Sequence, residues 1–571
     1  MHWLVREVVG RTTRRITRIW FHKFESATQR CRDVQHRVLF DKLRRNAASQ
    51  FGRDHHFDQI HTVAEFRRHV PITDYAYHEP YIEQVKRGDV TAMFGPKTKV
   101  HMFAMTSGTT ATPKYIPVTG EFLKEYRFGW MLWGIRTYDM HYDLYRLKVV
   151  QLTGDWKQSR TEAGIPCGSI SGLTMKRQCK IVRERYCVPG PLMKVREINA
   201  RYYAALRFSL PWSVGMATSA NPSTLINLAR LGDAQKGHLV RDLADGTLSA
   251  EFDIPTEVRE RLAPLIKKRH PERVRELENV IAQTGHLYPK DYWPQLQVLT
   301  NWTGGSMGIY LRRLPEYWGH PPVRDIGLVA SEGRMTIPLE DGTRAGVLDI
   351  LHQFFEFISE DQIDSLNPTV LEAHELKEGR RYFVLLTTSG GLYRYNIHDL
   401  VQCVGFHNET PMLEFLNKGS QFSSVTGEKL SEFQVCRAVE SALSTLNLCL
   451  TAFILVPCWD DPPYYSLLVE LGDLPSDDLA ARLAEAIDTN LAGLNLEYAA
   501  KRETHRLGPV SVKLLPPGTW ESYVRDRVAQ RGSSLEQYKQ ACLSSELDSY
   551  LEFRVLREIR QRSAGVVLRS A

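Results

Sequence analysis

The chain has 571 residues, of which 43% are hydrophobic and 24% are charged. This length exceeds what one hydrophobic core usually serves, so we expect two or more domains. The formal net charge of +7 is small for the length, and no basic tract with interleaved aromatic residues occurs outside the N-terminus, which argues against nucleic acid as a partner.

The first 24 residues combine basic and apolar side chains in a pattern typical of an amphipathic helix. They contain one acid, Glu7, and six basic residues: Arg6, Arg11, Arg14, Arg15, Arg18 and Lys23. The segment lacks the apolar stretch of a secretory signal, and no window in the chain reaches the roughly 18 apolar residues of a membrane span. We therefore expect a basic helix over residues 1–25, either docked on the protein body or in weak contact with a membrane surface.

The nine cysteines are scattered and include no Cys-x-x-Cys pair. Together with the lack of a signal peptide, this favours reduced thiols and a cytoplasmic location. Nothing in the sequence demands more than a monomer.

The pattern of apolar residues predicts helices over 26–70 and an extended segment over 98–105. A helix should follow, with one aromatic face at spacings of four, four and three residues: Phe122, Tyr126, Trp130 and Trp133. Such a face is usually core, although it is also a candidate wall for an apolar acyl group. Short strands are predicted at 147–153, 212–217 and 296–302, and a charged helical region at 251–278.

The second half of the chain is richer in strands. β-Rich hairpin segments are predicted at 343–356 and 381–399. The last part should contain helices at 432–446 and 477–494, with Ser476 as an N-cap, and strands at 451–456, 464–471 and 510–515. The fold class is therefore α/β, with a large N-terminal domain over 26–418 (sheets with packed helices and a β-rich subdomain), a hinge at 419–430 and a small C-terminal α+β domain over 431–571.

The most specific pattern in the chain occupies residues 105–118. Gly108 and a following Lys114 accompany four hydroxyl residues: Thr106, Ser107, Thr109 and Thr110. Glycine lets backbone N–H groups turn toward an anion, hydroxyls add donors, and lysine supplies a charge. The composition fits a loop that holds nucleotide phosphates, the alternative being a polar turn between strands. The pattern Gly-x4-Gly-Lys-[Ser/Thr] is absent, which excludes a P-loop NTPase.

This loop resembles the phosphate loop of the adenylate-forming superfamily, and the wider chain resembles the Gretchen Hagen 3 (auxin-responsive promoter) family of acyl acid amido synthetases. The resemblance runs from about Val34 to about Cys542. Its motifs occur in order: Phe51-Gly52, Val70-Pro71-Ile72, Thr106–Lys114, Asn221–Leu225, Thr303–Met307, Ala330–Gly333, Gly391–Asp399, Gly405–Asn408, Thr426–Lys429, Gly518-Thr519-Trp520 and Gln537-Tyr538-Lys539.

The resemblance implies an ATP site in the large adenylation domain. Thr106–Thr110 and Lys114 would hold the β- and γ-phosphates, and Gly304 and Ser306 would lie along the nucleotide. Ser331 and Glu332 match the segment whose acid helps to hold Mg²⁺, a role that suits a carboxylate; a Ser-Glu pair alone is more often a helix cap. At Leu328 the family usually has a tyrosine that packs on adenine.

Three further residues receive roles from the resemblance. Asp399 would accept hydrogen bonds from the ribose hydroxyls, although Asn396 and His398 stand where plant members have Arg and Gly. Lys429 lies in the hinge, and Lys539 matches the C-terminal lysine that supplies a cation to the phosphates during adenylation, in a small domain that moves between half-reactions.

The expected activity is that of an ATP-dependent acyl acid–amino acid ligase. A carboxylic acid would form an acyl adenylate with release of pyrophosphate, and an amino acid or other amine would then displace AMP. An acyl-CoA synthetase with the same first step is an alternative, and a non-catalytic family member is another. The charged candidates are all present, which argues against loss of activity: Lys114, Glu332, Asp399, Lys429 and Lys539.

Overall fold

The computed structural model describes residues 2–106, 113–363, 365–419, 422–426, 428, 430–504, 506–531 and 540–560. The chain forms two compact units. Within the described residues, the larger unit is drawn from 2–303, 314–415 and 531, and the smaller unit from 304–313, 416–530 and 540–560. The sequence did not predict that 304–313 belongs to the smaller unit. The predicted domain boundaries stay predictions.

Several helices of the larger unit begin at residues whose side chains cap the free backbone N–H groups. Thr62 and Glu65 form a reciprocal capping box at the start of one helix. Asp74 and Thr119 each cap the helix that follows them. Asn221 caps the helix that begins at Pro222. The helices are α1 His2–Thr28, α2 Cys31–Asn46, α3 Gln50–Asp54, α4 Val63–His69, α5 Tyr75–Lys86, α6 Gly120–Met140, α7 Ile170–Lys176, α8 Lys180–Arg183, α9 Ile198–Ser209, α10 Pro222–Ala234, α11 Lys236–Asp245, α12 Thr256–Ile266, α13 Pro271–Thr284, α14 Pro289–Tyr292 and α15 Gly308–Trp318.

The first half of α15 belongs to the smaller unit and the second half to the larger one. We call residues 106–114 the hydroxyl-rich loop. The helical stretches predicted from the sequence over 26–70 and after this loop are confirmed. Among the helices in the described ranges, none combines the length and the hydropathy needed to cross a bilayer.

Strands of the larger unit form three sheets, and the short strands predicted from the sequence are confirmed. The strands are β1 Val100–Thr106, β2 Lys114–Thr119, β3 Lys148–Gln151, β4 Ser159–Arg160, β5 Pro166–Gly168, β6 Val214–Thr218, β7 Val298–Asn301, β8 Val323–Asp325, β9 Thr336–Ile337, β10 Gly346–Leu348, β11 Phe354–Ser359, β12 Val370–Glu372, β13 Arg381–Thr387, β14 Tyr395–His407 and β15 Thr410–Lys418.

One sheet is parallel, in the order β3-β6-β7-β8. Ligands of open α/β sheets bind beyond the carboxyl ends of such strands. The chain leaves β7 toward the motif segment 303–307 and leaves β8 toward the motif segment 330–333, and β7 and β8 are neighbours in this sheet. The fold therefore brings the starts of these two segments to the same sheet edge.

The second sheet is a long β-rich layer in the order β12-β11-β13-β14-β15-β10-β9, and the third has the order β2-β1-β5-β4. One large apolar core joins side chains of β11, β13 and β14 with side chains of β1, β2 and α6. Phe122, Phe355 and Leu386 are fully buried in this core. This core holds the hairpin of the hydroxyl-rich loop against the strand that carries Asp399.

The smaller unit is α+β, as predicted. Its sheet runs β18-β19-β20-β21 with β19 and β20 parallel, and Ser476 caps its helix by accepting from the Leu479 N–H. The elements are β16 Phe422–Ser423, β17 Leu430–Ser431, α16 Glu432–Leu446, β18 Ile454–Cys458, β19 Tyr464–Glu470, α17 Asp477–Leu494, α18 Leu496–Glu503, β20 Ser511–Leu515, α19 Thr519–Arg531 and β21 Arg557–Ile559.

Residues from three distant parts of the sequence form what we call the support cluster: Asn46, Phe51, Thr73, Tyr393 and Arg394. The Phe51 and Tyr393 rings stack with centroids 5.1 Å apart, and Asn46 Nδ2 donates to Tyr393 Oη at 2.7 Å. Thr73 Oγ1 donates to the carbonyl of Tyr393 at 2.8 Å, and the Thr73 N–H donates to the carbonyl of Arg394 at 3.0 Å. These contacts hold the backbone immediately before β14.

Arg394 anchors this backbone through a buried ion network. Its Nε lies 2.9 Å from Oε2 of Glu356, and Arg67 Nε lies 2.8 Å from the other oxygen of that carboxylate. The Arg394 guanidinium also donates to the carbonyl of Val70 at 2.8 Å. Arg394 has a φ of 48°, which a non-glycine residue adopts only where surrounding contacts require it.

His78 packs against the support cluster, and we predict that it makes stability fall in acid. Its ring stacks on Phe51 and its Nε2 lies 2.9 Å from Thr73 Oγ1. Burial lowers its pKa from 6.5 to about 3. The unfolded chain therefore takes up a proton below pH 6.5 that the folded chain takes up only near pH 3, and the free energy of unfolding should fall by up to about 1.4 kcal/mol per pH unit between these values.

Urea unfolding at several pH values between 7 and 5 checks this prediction. His78→Gln should lower stability at pH 7 by about 1–3 kcal/mol and make stability less dependent on pH than in the wild type. The exposed His61 provides a control, since His61→Gln should leave the pH dependence unchanged. Equal pH dependence of wild type and His78→Gln would contradict the prediction.

Candidate functional site

The hydroxyl-rich loop connects β1 to β2. Thr106 at the end of β1 pairs with Lys114 at the start of β2, so both ends of the loop are fixed by an antiparallel ladder. Lys114 Nζ lies 5.5 Å from the centre of the Tyr75 ring and 3.5 Å from Oη of Tyr395. The predicted site residues Ser107, Gly108, Thr109 and Thr110 lie outside the described residues.

Ser331 and Glu332 form the tip of a two-residue hairpin turn. Backbone hydrogen bonds join Ala330 and Gly333 in both directions, at 2.9 and 3.3 Å. The Ser-Glu pair is therefore not a helix cap in this chain, and the helix-cap alternative is wrong. Glu332 is buried, and its charge acts on the phenols of Tyr395 in β14 and Tyr126 in α6.

Asp399 owes its position to a bulge in β14. Asn396 pairs with Leu385 and Leu400 pairs with Phe383, so that three residues of β14 face a single residue of β13. His398, in the middle of the bulge, has a φ of 58°, and its N–H donates to Asn396 Oδ1 at 2.9 Å. Bulges re-aim side chains next to functional sites, and Asp399 is buried at the end of this one.

Tyr395 joins three of the predicted site residues. Its hydroxyl contacts Lys114, and burial followed by the charge of Glu332 raises its pKa, with a smaller contribution from Asp399. Lys114 thus contacts this phenol, and the charges of Glu332 and Asp399 act on it. Tyr395 lies in a sequence motif, but its role has no local signal, because its contact with Lys114 depends on the packing of two separate sheets.

Asp325 is a second residue that the sequence analysis missed. It ends β8, and its buried carboxylate accepts from the N–H and hydroxyl of Thr303 and from the N–H of Gly327, at 2.7 Å and 2.6 Å for the two N–H groups. Gly327 has a φ of 87°, and a side chain there would collide with the carbonyl of Thr336. Asp325 therefore ties together the starts of the two loops that follow β7 and β8.

The aromatic face of α6 is mainly core. Phe122, Tyr126 and Trp133 are buried, and Trp133 Nε1 donates to the carbonyl of Asp325 at 2.9 Å. Trp130 alone of the four is partly exposed, and the guanidinium of Arg334 lies 4.5 Å above its ring. Of this aromatic face, only the surroundings of Trp130 therefore stay a candidate wall for an apolar acyl group.

Arg334 reaches this position because α6 carries a glycine there. A Cβ at Gly129 would lie 2.4 Å from Cδ of Arg334. Burial lowers the pKa of Arg334 to about 10, so the side chain remains charged at neutral pH. Its Nη2 donates to the carbonyl of Ile326 at 2.8 Å, which steadies the hairpin that carries Glu332.

The remaining predicted site residues are not brought to this place by described contacts. Gly304 and Ser306 lie in a short turn before α15 that belongs to the smaller unit. Lys429 and Lys539 lie outside the described residues. Their roles stay predictions.

Comparison with known families accounts for most of the chain. The model of the GH3 family N-terminal domain matches residues 20–323, that of the GH3 family central domain matches 346–418, and that of the GH3 family C-terminal domain matches 433–548.

Curated relatives match over nearly their full length. A jasmonoyl–L-amino acid synthetase of Nicotiana attenuata is 24% identical, over 90% of this chain and 92% of that protein. One of Oryza sativa subsp. japonica is 26% identical, over 91% and 93%. An indole-3-acetic acid-amido synthetase of Arabidopsis thaliana is 24% identical, over 90% and 89%.

A solved structure has the same fold. The GH3.15 acyl acid amido synthetase superposes with a TM-score of 0.81 at 21% identity, over 95% of this chain and 97% of that one. Since the three family models follow one another in order and the first alone spans more than half of the residues, the chain belongs to the GH3 family.

Proposed function

We propose that this GH3-family ligase uses ATP to activate an acyl carboxylic acid and then joins the acyl group to an amino acid or another amine. In the first step a carboxylate oxygen attacks the α-phosphorus, and pyrophosphate leaves as the acyl adenylate forms. In the second step the amine attacks the acyl carbon, and AMP leaves. The observation that carries the proposal is that Lys114 contacts the Tyr395 phenol, on which the charges of Glu332 and Asp399 also act.

Each of these residues suits one part of a nucleotide. Lys114, at the foot of the hydroxyl-rich loop, would neutralise charge on the β- and γ-phosphates together with Thr106 and the loop hydroxyls. Asp399, on its bulge, would accept hydrogen bonds from both ribose hydroxyls. Leu328, partly buried beside the core, would pack on adenine by apolar contact alone.

The residues present fit a magnesium ion held partly by the nucleotide. Mg²⁺ takes oxygen ligands and often needs only one or two protein carboxylates, with phosphate oxygens and water completing its shell. Glu332 supplies such a carboxylate, and its charge acts on the Tyr395 phenol. Within the described ranges there is no group of three or more acidic, histidine or cysteine side chains that would form an all-protein metal site. When bound, the ion would stabilise charge that develops on the phosphates.

The proposal extends to the partners and the remaining cations. Lys539 and Lys429 would each supply positive charge in one half-reaction, and Gly304 and Ser306 would lie along the nucleotide. The names of the relatives favour an amine over coenzyme A as acceptor. A cytoplasmic monomer that acts on a small-molecule acid and amine remains our expectation.

Formation of pyrophosphate tests the first half-reaction. Wild-type protein incubated with Mg·ATP and a panel of aryl, indolyl and fatty acids should release pyrophosphate in an acid-dependent manner. Glu332→Gln keeps the side-chain shape but removes the charge that faces the metal, so the rate should fall about 100-fold or more. The exposed Glu378 is the control, and Glu378→Gln should match wild type. An undiminished rate in Glu332→Gln would contradict the role of Glu332.

The acceptor is identified by running the same assay with pooled amino acids or with coenzyme A. Release of AMP that requires an amino acid, with an amide product detected by mass spectrometry, would support the amide ligase. Release that requires coenzyme A would instead support the acyl-CoA synthetase. Pyrophosphate formation with neither acid nor acceptor would contradict both.

The variant Asp325→Asn should disturb the loops that follow β7 and β8 while lowering the stability of the fold only modestly. Asn keeps the size of the side chain but presents an NH₂ group where Asp325 accepts from Thr303 or Gly327, so one loop is released. Removing a buried charge offsets part of the lost hydrogen bonding, and stability should fall by no more than about 2 kcal/mol. The KM for ATP should rise about tenfold, which corresponds to one charged hydrogen bond.

Steady-state kinetics and thermal unfolding of the same samples check this split. Asp233→Asn is the matched control, since Asp233 also accepts a backbone N–H, that of Leu287 at 2.9 Å, but on α10. It should alter stability without altering the KM for ATP. A wild-type KM in Asp325→Asn would show that the two loops do not need this carboxylate.

A further inference from the structure

The hydroxyl of Tyr395 lies 3.5 Å from Nζ of Lys114 in the candidate site. None of the roles proposed above uses this hydroxyl. The side chain is 2% exposed. The backbone of Tyr395 pairs with Leu386 of β13 on one side and with Thr73 on the other. Because both neighbours belong to well-packed segments, the ring has little freedom to move and presents its hydroxyl at a fixed place beside Lys114.

The hydroxyl has a hydrogen to donate. Burial, with the nearby charge of Glu332 as the next cause, raises the pKa of Tyr395 well above the ordinary value, so the phenol stays protonated at neutral pH. A phenol has one hydrogen and can accept through its oxygen. Lys114 Nζ donates to that oxygen at 3.5 Å. Among the described residues, no acceptor lies within hydrogen-bonding distance of the phenolic hydrogen.

The surroundings select what kind of acceptor would fit. Lys114 attracts an anion, and the phenol offers a neutral donor directly beside it. The charges of Glu332 and Asp399, to which the proposed function gives the metal and the ribose, act on the same phenol. An anionic oxygen that lies between the metal and the ribose of a bound nucleotide belongs to a phosphate.

We propose that Tyr395 is a further nucleotide-binding residue, whose hydroxyl accepts a hydrogen bond from Lys114 and donates one to a phosphate oxygen of ATP. This inference rests on the proposed function, which supplies the nucleotide. Lys114 and Tyr395 then act as a pair, and the pair links the phosphate loop to the strand that carries Asp399.

Calorimetric titration with Mg·ATP and with adenosine tests the proposal. Tyr395→Phe removes the hydroxyl alone, and should weaken binding of Mg·ATP about tenfold to a hundredfold, the range for a hydrogen bond to a charged group. Adenosine carries no phosphate, so its affinity should not change. Thermal unfolding of each variant shows whether it is folded.

Tyr393→Phe is the matched control. It lies two residues away and loses a hydroxyl that accepts from Asn46 in the support cluster. It should lower the unfolding temperature and leave the affinity for Mg·ATP unchanged. The contrast separates loss of a phosphate contact from a general loosening of the strand.

A double-mutant cycle tests whether Tyr395 acts together with Lys114. Lys114→Met alone should also weaken Mg·ATP binding. In the Lys114→Met background, Tyr395→Phe should cost less than about threefold, because coupled residues are not additive. Fully additive losses would overturn the pairing.

The outcomes distinguish this inference from the proposed function. A folded wild type that does not bind Mg·ATP would overturn both. Wild type that binds Mg·ATP, together with a Tyr395→Phe variant of equal affinity, would overturn the Tyr395 inference alone. Equal losses for Mg·ATP and adenosine would assign Tyr395 a structural role and overturn it as well.

Discussion

The carboxylate of Glu356 binds two guanidinium groups, those of Arg67 and Arg394, and the candidate site depends on this buried network. A buried carboxylate without partners would be strongly destabilising, and so would a buried guanidinium. Their pairing keeps Arg394 at a positive φ and thereby sets the direction in which β14 begins. The support cluster adds aromatic stacking and backbone hydrogen bonds at the same point. Both sets of contacts hold the start of the strand on which Tyr395 and Asp399 lie.

A second set of contacts brings the other half of the site to that strand. The parallel sheet delivers two loops to one edge, Asp325 joins them, and Arg334 steadies the hairpin whose tip carries Glu332. The β1–β2 hairpin adds Lys114 from a third direction. Glu332 and Asp399 are buried, and electrostatic interactions of buried charges with a ligand are stronger than in water. The arrangement suits a ligand that itself carries anionic and neutral parts, as a nucleotide does.

The sequence predicted much of the fold because many of its signals are local. The helix Asp477–Leu494 was predicted with its cap Ser476, and both are confirmed by the structure. Motifs also named Lys114, Glu332 and Asp399, although their meeting could not be read from spacing, since they come from three separate parts of the fold. Asp325 and Tyr395 were missed for a related reason. An acid at the end of a strand and a tyrosine at the start of another have no local signature, and their roles arise from strand order, a bulge and the packing of one sheet on another.

Hydrogen exchange of the wild-type protein, with and without Mg·ATP, tests the central claim most directly. The account predicts that the nucleotide slows exchange in four described segments of the larger unit: the ends of β1 and β2, the backbone at Thr303, the hairpin at 327–335, and β14 from Tyr395 to Leu400. These segments are distant in sequence and share only the site. Protection confined to other regions, or no protection at a nucleotide concentration that supports pyrophosphate release, would contradict the account.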